Sequence, residues 1–178
     1  MTSSPNWRYL PRVYDPVWLR GLRLPSEGGR SVKQPVALVD GLAVDRHTDE
    51  ALLAAARARK DQTRRYESIH MHSDDWFSLV TMQLMSPMLA GREVICNLYE
   101  SDRNDSTLPL HVDTTYGAIV QMREQKVWHL GPEGRQRRIV VREGGVLLVP
   151  PDVPHRVETP HYSAHLLFSF RVDRPVAN

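Results

Sequence analysis

Cysteine is almost missing from this 178-residue chain: Cys96 stands alone, which rules out an internal disulfide and a cysteine-based zinc site. Lysine is nearly as scarce. Lys33, Lys60 and Lys126 are the only three, and arginine carries the rest of the positive charge, so a lysine inside an apolar strand becomes informative. No apolar run is long enough to span a bilayer, and nothing near the start has the charged-then-apolar layout of a signal peptide. A cytoplasmic protein without a membrane partner is expected. The net charge is only +2, and the arginines are scattered apart from a cluster at Arg135, Arg137 and Arg138. Without a basic helix or an aromatic-studded strip, nucleic acid is not an expected partner. No segment repeats at a fixed period, which excludes a solenoid.

What is present reads as one domain over residues 1–178, long enough to bury a core. Residues 1–35, rich in Pro, Arg, Gly and aromatics, lack periodicity and are expected to form an irregular arm with a mobile loop at Glu27–Arg30. Residues 36–92 are expected to form a helical support layer. Val36–Val39 is a short buried strand. Thr48-Asp49-Glu50 then caps a helix that begins at Ala51 and continues to about Tyr66, and Ser73-Asp74-Asp75 caps a second helix over 76–85. From Arg92 the character changes to short β-rich runs between turns. Strands are expected at Val94–Tyr99, Leu110–Thr115, Ala118–Met122, Lys126–Leu130, Ile139–Val141, Val146–Val149, His155–Val157 and Leu166–Val172. Eight short strands over 93–173 predict a small sandwich or jelly roll, mainly β with N-terminal helices.

The chemistry centres on Leu108-Pro109-Leu110-His111-Val112-Asp113. On a strand, His111 and Asp113 project to the same face, because successive side chains alternate. His155 follows Val149-Pro150-Pro151-Asp152-Val153-Pro154, a proline-rich turn that can send a strand back to the same pocket. Two imidazoles and one carboxylate make the facial triad that holds non-haem Fe(II) and leaves positions open. Taken alone, the three are an ordinary surface pair and a loop histidine, so the surroundings decide.

Those surroundings run His111-Val-Asp113-Thr-Thr-Tyr-Gly-Ala-Ile-Val-Gln121, a turn, then Lys126-Val-Trp128, and later Gly144-Gly145-Val146-Leu147-Leu148-Val149-Pro150-Pro151-Asp152-Val153-Pro154-His155. This pattern resembles the metal-binding core of the JmjC-like, cupin-like Fe(II)/2-oxoglutarate-dependent oxygenases, over roughly residues 94–172. The resemblance implies a double-stranded β-helix in which His111, Asp113 and His155 hold Fe(II) and 2-oxoglutarate is the cosubstrate. It places Lys126 on the far carboxylate of 2-oxoglutarate, which agrees with the cost of an inward lysine that lacks an anionic partner. Tyr99 and Ser169 are candidate hydroxyl donors to the cosubstrate, and Gly117, Ile119 and Gln121 are candidates for the pocket floor. Arg156 and Arg171 are the alternatives to Lys126, and His165 is the alternative to His155 as third ligand. Two departures stand out: Gly117 where relatives often carry Asn, and Leu108 where they often carry Ser or Thr.

The implied activity is hydroxylation of a substrate C–H, driven by oxidative decarboxylation of 2-oxoglutarate. A small molecule such as an amino acid or a biosynthetic intermediate is the first substrate class, and a protein side chain the second. A homodimer is left open. The rivals are a metal-dependent cupin enzyme that needs no 2-oxoglutarate (an isomerase, lyase or dioxygenase) and a non-catalytic cupin-like ligand-binding module.

Overall fold

The computed structural model describes residues 7–22, 24, 27, 36–40, 43–47, 61–69, 93–105 and 107–171. In chain order these form β1 (Arg8–Leu10), α1 (Pro16–Arg20), β2 (Val36–Asp40), β3 (Ala43–His47), β4 (Thr63–Tyr66), β5 (Val94–Ser101), β6 (Tyr116–Arg123), β7 (Gln125–Leu130), β8 (Arg137–Arg142), β9 (Val146–Val149), β10 (His155–Glu158) and β11 (Ser163–Phe170). Eight strands make one sheet in the order β1-β9-β6-β11-β5-β4-β2-β3, and β10-β7-β8 make a second. Neighbouring strands pair antiparallel. The two sheets form a cupin-like double-stranded β-helix, as the strand pattern predicts.

Alternation along the strands divides the large sheet between two cores. On one face Cys96 and Leu98 of β5, Ala118, Val120 and Met122 of β6, and Ala164, Leu166 and Phe168 of β11 pack with Leu19, Leu24 and Ile69. On the other face Ile119, Leu147 and Val149 meet Trp128, Leu130 and Val141 from the small sheet. The period of two gives β6 and β11 one wholly apolar face and a second on which Ile119 and Leu167 alternate with Gln121, His165 and Ser169. Burying each Leu, Ile or Phe side chain contributes about 1.5–3 kcal/mol.

Several expectations are corrected. The stretch 36–92 is not solely helical support, because β2, β3 and β4 extend the large sheet there. The helix expected to reach Tyr66 cannot do so: Thr63–Tyr66 is a strand paired with both β2 and β5. Pairing on two sides satisfies its backbone and buries Thr63, Arg64 and Tyr66, which overrides the modest helix preference of the arginines. The arm is also less irregular than expected. β1 pairs with β9, and Asp15 caps α1 through a hydrogen bond from Val17 N–H (2.9 Å) ahead of Pro16 at the first helical position. Leu110–Thr115 forms no strand; only His111 joins an isolated bridge, to His155. The first expected helix before residue 61, the second helix over 76–85, and Gly28–Arg30 lie outside the described residues.

Candidate metal centre and its cavity

The backbone holds the two histidines in register. His111 N–H donates to the His155 carbonyl (3.0 Å) and His155 N–H returns the bond to the His111 carbonyl (2.8 Å). The proline-rich turn is tied to the same place, with Asp152 N–H on the Asp113 carbonyl (2.9 Å) and Gly131 N–H on the Pro154 carbonyl (2.7 Å). Asp152 turns the chain with a positive φ of 61°, a conformation that Asp tolerates better than most residues. A single bridge and one turn thus do the work that a full strand was expected to do.

One ligand atom from each of His111, Asp113 and His155 lies within 4.8 Å of the others. His111 Nε2 is 4.0 Å from Asp113 Oδ1, His155 Nε2 is 3.6 Å from Asp113 Oδ2, and the two imidazole centroids are 4.3 Å apart. Both Nδ1 atoms face carbonyls two residues back, His111 on Pro109 O (2.8 Å) and His155 on Val153 O (2.9 Å). A carbonyl can only accept, so each Nδ1 carries the proton and each Nε2 lone pair is left toward the cluster. This is the outer support that metal-ligating histidines use. Burial, reinforced by the neighbouring His111, holds the His155 imidazole toward its neutral form, against the pull of Asp113. A neutral imidazole is the form that binds a metal. His155 is buried, while the Asp113 side chain is 45% exposed, so the cluster sits at a mouth.

Behind it, between the sheets, is a cavity of about 240 Å³. Gly117, Ile119, Val149, Val157 and Leu167 give it apolar walls, and Thr63, Arg65, Asn97, Tyr99, Lys126, Trp128, His165 and Ser169 line it with polar groups. Lys126 is 1% exposed. Its Nζ donates to Ser101 Oγ (2.9 Å), which lies 2.9 Å from Thr63 Oγ1. Burial lowers its pKa to about 7, against the pull of Asp105 and Glu100, and the nearby Arg64 adds to the lowering. Tyr99 is pushed up by burial, with Arg65 and Asn97 hydrogen-bonded to it. His165 stacks on Tyr99, centroids 4.9 Å apart and rings within 4° of parallel, and sits edge-on to Trp128 at 5.8 Å.

The solved structures that resemble this chain share its fold at low sequence identity. The E. coli ycfD X-ray structure matches with a TM-score of 0.70 at 14% identity, covering 94% of this chain and 50% of that one. A complex of YcfD, a ribosomal oxygenase from Escherichia coli, with cobalt and 2-oxoglutarate matches at 0.69 and 15%, covering 95% and 49%. Its complex with cobalt and succinic acid matches at 0.68 and 15%, covering 94% and 48%. The chain shares the fold of a ribosomal oxygenase. It spans about half the length of the YcfD chains. No family model and no curated protein sequence matches it.

Of the residues singled out in the sequence, His111, Asp113 and His155 cluster at the mouth, and Lys126, Tyr99 and Ser169 all line the cavity behind them. Gly117 and Ile119 reach the cavity as well. Gln121 is buried but turns its amide to the Arg123 carbonyl (2.8 Å). Arg156 pairs with Glu158 (2.7 Å) and Arg171 is exposed beyond β11; neither lines the cavity. His165 is inside the barrel yet apart from the clustered ligands. Thr63, Arg65 and Asn97 carried no sequence signal. They enter through the register of β4 and β5, where Arg65 stands opposite Tyr99, which in turn stands opposite His165.

Proposed function

We propose that this protein is an Fe(II)/2-oxoglutarate-dependent oxygenase that hydroxylates its substrate. The observation that carries this reading is one cavity with two chemically matched ends. Two imidazole Nε2 atoms and a carboxylate converge at the mouth, and a buried lysine with hydroxyl neighbours stands at the interior. The likeness to a fold solved with cobalt and 2-oxoglutarate supports it. His111, Asp113 and His155 would hold the iron as a facial triad, and Lys126 would neutralise the distal carboxylate of 2-oxoglutarate, with Tyr99 and Ser169 as hydroxyl partners. Iron with its keto acid supplies the O₂ chemistry and the oxidising equivalent when bound. The chain itself orients the two reactants, keeps both histidines in the ligating tautomer, and shields the inner end from water.

For the substrate, the likeness to a ribosomal oxygenase favours a protein side chain, the second of the two classes the sequence points to. The half-exposed Asp113 at the mouth suits a side chain offered from outside.

The test is anaerobic addition of Fe(II), then 2-oxoglutarate, to metal-free protein. The expected result is the weak visible charge-transfer band of an iron-chelated keto acid, abolished by His155→Ala and weakened by Lys126→Ala. Iron binding without a band would favour a cupin enzyme that needs no 2-oxoglutarate, and absence of iron binding would remove both enzyme readings.

A further inference from the structure

The cavity contains more polar capacity than the protein itself uses. His165 is 4% exposed and Trp128 is 5% exposed. Both line the cavity, yet His165 Nδ1 and Trp128 Nε1 have no hydrogen-bond partner among the described residues. A buried donor or acceptor left unpaired is costly, and native interiors leave few of them. Such atoms in a cavity wall are therefore sites where a ligand supplies what the protein does not.

The neighbours of His165 identify that ligand chemically. The imidazole is fixed in plane against Tyr99 and edge-on to Trp128, so it cannot turn away to another partner. Lys126 is near enough for its charge to add to burial in holding His165 neutral. A neutral imidazole whose Nδ1 is unpaired, in the tautomer that protonates it, stands beside a buried ammonium as a poor site for a second cation and a good one for a carboxylate. The carboxylate accepts from both groups and relieves their mutual opposition.

We propose that His165 is a further binding residue for the cosubstrate: its ring N–H donates to the same carboxylate that Lys126 neutralises, and Trp128 Nε1 closes the remaining side. This rests on the 2-oxoglutarate reading above. It adds a member from β11 that the sequence offered only as a rival metal ligand. His165 acts through the anion, and the metal triad is complete without it.

The experiment is calorimetric binding of 2-oxoglutarate to the cobalt-loaded protein and to His165→Phe, His165→Gln and Lys126→Ala, with thermal melting and the cobalt visible spectrum as controls. The Phe variant keeps the stack on Tyr99 and removes the ring nitrogens. The Gln variant keeps an N–H donor. A charge-assisted hydrogen bond predicts a loss of roughly tenfold or more in 2-oxoglutarate affinity for His165→Phe, partial recovery in His165→Gln, and an unchanged cobalt spectrum in both. Equal affinity in wild type and His165→Phe, with binding weakened in Lys126→Ala, would overturn the role of His165 and leave the oxygenase reading standing. An equal loss in the Phe and Gln variants would make the role one of packing and overturn the hydrogen bond. No 2-oxoglutarate binding by the wild type would overturn both.

Discussion

Lys126 illustrates what a single buried charge costs and what it is kept for. It is fully enclosed, its hydrogen bond is to an uncharged hydroxyl, and burial brings its pKa from 10.5 to about 7. Between those two values the unfolded chain holds more protons than the folded one, so stability rises as pH rises from about 7 toward 10.5. Below 7 the full cost of the buried cation is felt. Lys126→Met is expected to stabilise the protein by roughly 1–4 kcal/mol at neutral pH, to flatten that pH dependence in urea denaturation, and to weaken 2-oxoglutarate binding. A destabilised Lys126→Met would refute this account of the residue. Ligand binding runs the other way. An anion restores the charged lysine and takes up a proton, so wild-type affinity is expected to fall by up to about tenfold per pH unit above 7, measurable by titration at two pH values. Legibility at this scale was uneven. Lys126 could be read because lysine is rare and sits in an apolar run, and His111, Asp113 and His155 because ligand residues flank a recognisable turn. The place of His165 and Arg65 beside Tyr99 could not, because only strand register sets it.

Among the elements, the β8–β9 turn does more than connect two strands. Gly144 has a φ of +81°, and a Cβ there would lie 2.3 Å from the Tyr14 carbonyl oxygen. Tyr14 N–H in turn donates to Gly144 O (2.9 Å), so the N-terminal segment is docked on this turn by backbone contact that only glycine allows. Gly134, with φ +74° and nothing within 4 Å of a would-be Cβ, is the natural control. Gly134→Ala is expected to cost about 1–2 kcal/mol, the left-handed penalty alone. Gly144→Ala adds a backbone clash and is expected to cost about 2–4 kcal/mol. Urea midpoints of the two variants check the difference, and equal losses would mean that the Tyr14 contact has no energetic weight. The sequence marked this glycine pair as the start of an apolar strand, but its partner 130 residues earlier was out of reach of any local pattern.

For the whole molecule, the proposed metal binding would link metal to fold. The three candidate ligand side chains come from the bridge segment and β10, so an ion bound by them is bound by the folded chain only. At a hundred times its dissociation constant, cobalt is expected to add about 2.7 kcal/mol, a rise of roughly 5–11 °C in Tm for a chain of this size. Asp113→Ala should melt near the metal-free wild type, because the carboxylate is half exposed, and should lose the metal-induced shift. A shift retained in Asp113→Ala would place the ion elsewhere.

The sequence by itself determined the β-rich C-terminal half, the turn ahead of His155 and which residues cluster, His111, Asp113 and His155. Those features are local: alternation, proline, and residue chemistry at short spacing. Tertiary structure decided three things that local pattern could not. Thr63–Tyr66 became a strand because β2 and β5 pair with it on both sides. His111 and Asp113 came together through one bridge and a turn because His155 and Asp152 supply the hydrogen bonds that a strand would have. The inner end of the cavity acquired Thr63, Arg65 and His165 because sheet register sets side by side residues that lie far apart in the chain.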